Sequence, residues 1–254
     1  MGRAKNLMAT GKVGKLIFYE YRGIMCCRTA PGSVRQTAAT KKSASQFGLA
    51  VKASRCLRDS LSRIFHDAQD KTMFYGFNSA LHKWLREYQP NENTYSTGNF
   101  YLDNFQFNAA ASMSMLVKKS VRTNFSEQGN ITIDVPGLIP GVDIIAPAGT
   151  ANIHYNARVA GCLFRFGKRS DVMDTPGTSE KHKTSVVLEY GERPLPQQSL
   201  LLHMEPVKSA LVVVVFSIQY EVKEGKTLTL VTDKTWCPVS VVGSCFGSRV
   251  PGKD

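Results

Sequence analysis

Apolar and polar residues alternate in short runs through most of the chain, and step by threes and fours only near its beginning. "KLIFYEY" (residues 15–21) and "IMCCRT" (residues 24–29) have the β-branched and aromatic content of strands. Arg22-Gly23 separates them, and its glycine is free to take a positive φ. The pattern predicts a β-hairpin, with Gly11 and Gly14 turning the chain into the first strand. After Pro31-Gly32 the spacing becomes helical. Phe47, Ala50, Val51, Ser54, Leu57, Leu61, Ile64, Phe65 and Ala68 form one stripe, and Lys52, Arg55, Asp59 and Arg63 lie on another. Phe77, Leu81, Trp84, Leu85 and Tyr88 repeat the spacing, with Pro90 as a stop and Gly76 near the boundary between the two helices. An αα-hairpin is expected.

From residue 91 onward turn-forming residues punctuate short strand-like runs. These runs are "FYLDNFQFN", "NITIDV", "GTANIHYNARVAGCLFRF", "TSVVLEY", "QQSLLLHM", "ALVVVVFSIQYEV", "KTLTLVTD" and "WCPVSVVGSCFGS". Pro136-Gly137, Pro140-Gly141, Pro176-Gly177 and Gly225 mark turns, and "GTSEKHKT" (residues 177–184) reads as an exposed loop. The expected fold is mainly β with an N-terminal α-helical hairpin, an α+β arrangement whose body is an antiparallel β-sandwich, immunoglobulin-like or similar. The cysteine–tryptophan–cysteine spacing of an antibody domain is missing, so this expectation rests on strand number. Two regions follow: residues 1–90, a basic β-hairpin plus two helices, and residues 91–254, the sandwich.

Composition changes this picture at one end. Hydrophobic residues make up 43% and charged residues 20% of the 254, which is enough apolar material for a core. The net charge is +12, and the first 60 residues carry twelve basic against two acidic groups, leaving a net of +2 on the other 194. Such segregation points to a polyanion, or to an acidic surface on another protein, as partner; a solvated basic face is the plain alternative. The candidate contact residues are Lys12, Lys15, Arg22, Arg28, Arg35, Lys41, Lys42, Lys52 and Arg55, with Phe18, Tyr19 and Tyr21 interleaved. Six cysteines are too few for a disulfide scaffold at this length and read as reduced thiols packing as small hydrophobes. No secretory signal pattern is visible, and the longest apolar run, "ALVVVVF", is far short of the roughly 20 residues of a spanning helix. Cytoplasmic synthesis is expected, with later incorporation into a larger particle or filament.

Reactive motifs give no positive signal. Gly11-Lys12-Val13-Gly14-Lys15 fails as a phosphate loop, because Leu16 replaces the serine or threonine and a strand follows where a helix is needed. His66, His82, His154, His182 and His203 have no second histidine or cysteine pair at zinc-ligand spacing. "GSCFGS" sets Ser244 and Cys245 between glycines without an identifiable base. No cofactor, metal or catalytic residue is assigned, and an enzyme is not expected.

Gly11-Lys12-Val13-Gly14, Tyr21-Arg22-Gly23, Arg28, Pro31 and "RQTAATKKSASQFGLA" leading to "LRDSL" are similar to the opening of an uncharacterised bacterial protein family of unknown function. Its members begin with a Gly-Lys-Val-Gly and aromatic-Arg-Gly signature and continue into a helix and β-rich segments. The resemblance covers about the first 60 residues. It implies a reusable hairpin-plus-helix unit and lends no catalytic residue. The expected function is a non-enzymatic structural or interaction protein that self-associates into a homomeric filament, appendage or phage-like particle. The alternative is a nucleic-acid-binding protein that uses the basic N-terminal segment.

Overall fold

Four short strands open the chain: β1 (Arg3–Lys5), β2 (Met8–Val13), β3 (Leu16–Tyr21) and β4 (Ile24–Thr29). They pair in order as an antiparallel meander. The expected hairpin is β3–β4, and β1 and β2 extend it by two strands that the pattern of apolar residues did not reveal. Gly14 takes φ +62 in the turn before β3. Arg22 and Gly23, at φ 52 and 79, both occupy the left-handed region, as a primed two-residue hairpin turn requires.

The computed structural model describes residues 3–5, 8–32, 36–65, 72–87, 96–97, 101–126, 128–165, 171–173, 183–205 and 209–247. Arg35, His66, His182, Pro90, Pro176-Gly177 and most of the 177–184 loop lie outside them. The chain divides into two compact units, residues 1–43 and 44–254. The division falls inside a helix.

That helix, α1 (Ala38–Leu61), begins nine residues before its first expected apolar position. Thr37 caps it, its hydroxyl accepting the Thr40 backbone N–H at 3.2 Å. Leu49, Ala50, Ala53, Leu57 and Leu61 are buried, and a 3-10 turn at Ser62–Ile64 follows. The second helix, α2 (Met73–Glu87), buries Met73, Phe77, Ala80, Leu81 and Leu85. Gly76 sits within α2 and not at its boundary. A Cβ there would lie 3.4 Å from the Phe105 ring, so its bare surface lets Phe105 approach.

The larger unit continues with β5 (Ser96–Thr97), the short α3 (Met113–Leu116), β6 (Arg122–Phe125), β7 (Asn130–Val135), β8 (Thr150–Arg165), β9 (Asp171–Met173) and β10 (Lys183–Glu189). It ends with β11 (Gln198–His203), β12 (Ala210–Glu224), β13 (Thr227–Leu230) and β14 (Val239–Gly247). A seven-stranded sheet follows the order β10-β8-β12-β14-β5, with β9 beside β8 and β13 beside β12. A three-stranded sheet follows the order β11-β7-β6. The protein is thus mainly β, with three antiparallel sheets. "FYLDNFQFN" is an exception to the expected strands. Residues 101–104 form a turn, and only Gln106 bridges to Ser240. Leu102 and Phe107 are buried there, and backbone hydrogen bonds from Asn104 to Val241, from Val241 to Phe105 and from Phe107 to Val239 tie the segment to the edge of the last strand.

Two apolar clusters explain the long runs of β8 and β12. Ala160, Cys162 and Phe164 of β8 and Leu211, Val213 and Val215 of β12 join the buried residues of α1 and α2. The Trp84 ring packs edge-on or tilted against Phe164 and Phe246, with centres 5.3 and 5.4 Å apart, and Phe77 packs tilted against Phe105 and Phe107 at 5.1 and 5.2 Å. Alternate residues, Ile153, Tyr155, Ala157 and Val159 with Val214, Phe216, Ile218 and Tyr220, join Ile131, Ile133, Val135, Leu200 and Leu202 of the three-stranded sheet. Successive side chains of a strand point to opposite faces, so β12 is buried on both and reads as a continuous apolar run. No disulfide links the six cysteines, and Cys162, Cys237 and Cys245 are buried. Among the described residues no helix is long and apolar enough to cross a membrane.

Candidate functional site

The ladder registers sort the N-terminal strands into two chemically different faces. Residues paired across a ladder share a face, as do residues two apart along a strand. Lys12 pairs with Ile17, and Ile17 with Arg28; Tyr19 pairs with Cys26, and Tyr21 with Ile24. Lys12, Arg28, Tyr19 and Tyr21 therefore lie on one face. The opposite face holds Val13, Leu16, Phe18, Glu20, Met25 and Cys27, with no cation among residues 10–29. Lys12 and Arg28 are two strand spacings apart, about 10 Å.

Aromatic rings hold two of the cations. The Arg28 guanidinium lies 5.8 Å from the Tyr19 ring centre, and Arg22 lies 5.3 Å from that of Tyr21. Arg22 is the more informative of the two, because a non-glycine residue at φ 52 carries steric strain. Lys12, Lys15, Arg22 and Arg28 are all exposed. Lys41, Lys42, Lys52 and Arg55 are exposed along α1, and Arg55 faces Asp59 at 3.6 Å. The structure thus pairs Arg28 with Tyr19 and Arg22 with Tyr21, while Lys12 shares the face of Arg28 without touching either ring. Lys15 stands in the turn before β3.

Sequence reasoning missed a second polar site, on the large sheet. Asn152, His154, Asn156 and Arg158 occupy alternate positions of β8, on the face whose later positions join the helix-side cluster. Opposite them on β12 stand Glu221, Gln219 and Ser217. Asn152 donates to Glu221 at 2.6 Å, His154 Nε2 lies 3.6 Å from the same carboxylate, and Asn156 donates to Gln219 at 3.3 Å. Ser217 is fully buried. The signal is present in "ANIHYNARVAG", where polar residues alternate with apolar ones, but alternation alone does not tell a polar site from the solvent face of a strand. The polar positions on the other face are sparser. There Tyr155 has its phenol pushed up to about 12 by burial, and Tyr220, raised by burial first, donates to the Ile145 carbonyl at 2.9 Å.

Neither site converges on a metal. Among the described residues no three ligating side chains cluster. Scans against protein-family models, curated proteins and solved structures each return no match.

Proposed function

We propose that the chain is a non-enzymatic structural or interaction protein that assembles with copies of itself into a filament, appendage or particle. One observation carries this reading: the N-terminal sheet leaves large apolar side chains in solvent. Val13 is 58% exposed and Leu16 42%, on the face that lacks cations. A sheet gains independent stability by covering an apolar face, and exposed apolar patches mark contact surfaces. The open edges of such a sheet also accept further strands. A second copy suits this face, because it presents apolar residues around a single carboxylate and would meet their like. In the body, the cluster shared by the seven-stranded and three-stranded sheets supports an antiparallel β-sandwich, immunoglobulin-like or similar. The contacts of Phe47 with His82 and of Arg58 with Phe74 support a helical hairpin.

Light scattering of the full chain tests the assembly. The expected mass exceeds that of one chain and persists in high salt, while the pair Val13→Lys and Leu16→Lys returns a monomer. A monomeric wild type, or a variant of unchanged mass, rejects the proposal.

The opposite face favours a second reading, nucleic-acid binding, because it places Lys12 and Arg28 beside Tyr19 and Tyr21. Cations neutralise phosphates and tyrosine rings stack on bases. Retention on a polyanion is expected to fall steeply with salt and to be lost when Arg22, Arg28 and Arg35 are all changed to Ala. Retention that survives those changes rejects this reading.

A further inference from the structure

A cavity of about 290 Å³ opens beside the edge strand β10, on the larger unit. Asn156, Arg158, Lys183, Ser185 and Ile64 contribute to its walls. Three features of this place are hard to reconcile with a merely structural role. Lys183 stands directly opposite Arg158 in the β10–β8 ladder, and like charges so placed repel. Arg63, in the 3-10 turn, adds its charge to the surroundings of Arg158. Burial first, and Arg63 second, hold the Arg158 guanidinium below its ordinary proton affinity. Among the described residues, no carboxylate forms an ion pair with Arg63, Arg158 or Lys183.

The remaining groups are suited to an anion. Asn156 and Ser185 stand on the same face as Arg158 and Lys183, by the same register. The Asn156 amide gives one hydrogen to Gln219 and keeps a second, and the Ser185 hydroxyl adds another donor. A guanidinium offers a planar fork that matches two oxygens of a tetrahedral oxyanion, and an ammonium adds a point charge beside it. An anion seated there would face two cations of the pocket wall, Arg158 and Lys183, and offset the charge that Arg63 imposes on Arg158. We propose that this pocket binds a phosphate group, either free or carried by a nucleic-acid backbone.

Calorimetric titration of the full chain with inorganic phosphate, against sodium chloride at matched ionic strength, tests the site. A saturable heat is expected. Lys183→Gln and Arg158→Gln should each weaken the phosphate affinity by about tenfold. Lys183 is exposed, so its variant folds even if that of Arg158 does not. In phosphate-free buffer Lys183→Gln should unfold at a higher temperature than the wild type, because the ladder loses its facing cations. A wild type without saturable heat overturns the proposal, as does a Lys183→Gln variant of unchanged affinity. Competition by oligothymidylate assigns the site to backbone phosphates, and binding of phosphate that the oligomer does not displace assigns it to the free ion. Either result requires the same pocket.

Discussion

A few side chains show how little room the larger unit leaves. Gly243 of β14 lies at the irregularity where Val214 pairs with it and Val215 pairs with Val241, so Val242 is the extra residue. A Cβ on Gly243 would lie 2.9 Å from both Cβ and Cγ2 of Thr123 on β6. Thr123 is β-branched and stiff, so strand must move against strand. Gly243→Ala should destabilise by about 1–3 kcal/mol in urea unfolding, whereas Gly191→Ala, with open space around it, should stay within about 0.5 kcal/mol. Asp143 is a second case. Lys119 at 2.7 Å first, and the Ile139 backbone N–H at 3.0 Å second, hold its carboxyl below the usual carboxylate range. The folded state therefore takes up this proton less readily than the unfolded chain. The resulting stability is present above the ordinary carboxylate range and is lost as pH falls through the folded value. Asp143→Asn should unfold more readily than the wild type at neutral pH, and the two urea midpoints should converge by about pH 2.

Elements explain what composition could not. The β3–β4 turn puts Arg22 where asparagine or glycine is favoured, so Arg22→Asn should slow amide exchange at Tyr21 and Ile24 while weakening polyanion retention. An unchanged retention would mean that the strain has no bearing on binding. The strands themselves were largely legible. β4 and β7 match "IMCCRT" and "NITIDV" end to end, because each is bounded by turn residues. β2 was not legible, since "MATGKV" has glycine and lysine where a strand usually shows β-branched residues. The start of α1 was hidden for a related reason: "AATKKSASQ" has no apolar stripe, and its helicity draws on a threonine cap and alanines. The basic–aromatic face was half legible. Its residues were named, but which of them share a face depends on register, and register follows from turn geometry that composition does not carry. The pocket beside β10 was invisible, because its two lining cations, Arg158 and Lys183, come from different strands and meet only through the ladder register.

For the whole molecule, the two units differ in what holds them. From Thr10 to Pro31 no described residue is buried, whereas β12 is enclosed on both faces. Amides of β3 and β4 should exchange through low-energy local openings, and those of β12 only through global unfolding. Hydrogen exchange read by mass spectrometry checks this ordering, and equal protection in the two regions would contradict it. Charge is segregated too: the first 60 residues are strongly basic and the rest nearly neutral, so the basic segment runs past the small unit into α1.

The wiring of the strands also sets an order in time. Each of the four opening strands pairs with its immediate neighbour in sequence, so that meander is complete once Thr29 has been made. β12 instead pairs with β8, about sixty residues earlier in the chain at Ala157–Phe216, and with β14 behind it. The large sheet must wait for residue 247, and until then the apolar strand Ala210–Glu224 is without its flank. During synthesis the early meander can already be paired while the valine-rich strand is still unshielded, so nascent-chain crowding and chaperone capture should bear mainly on the last strands to arrive.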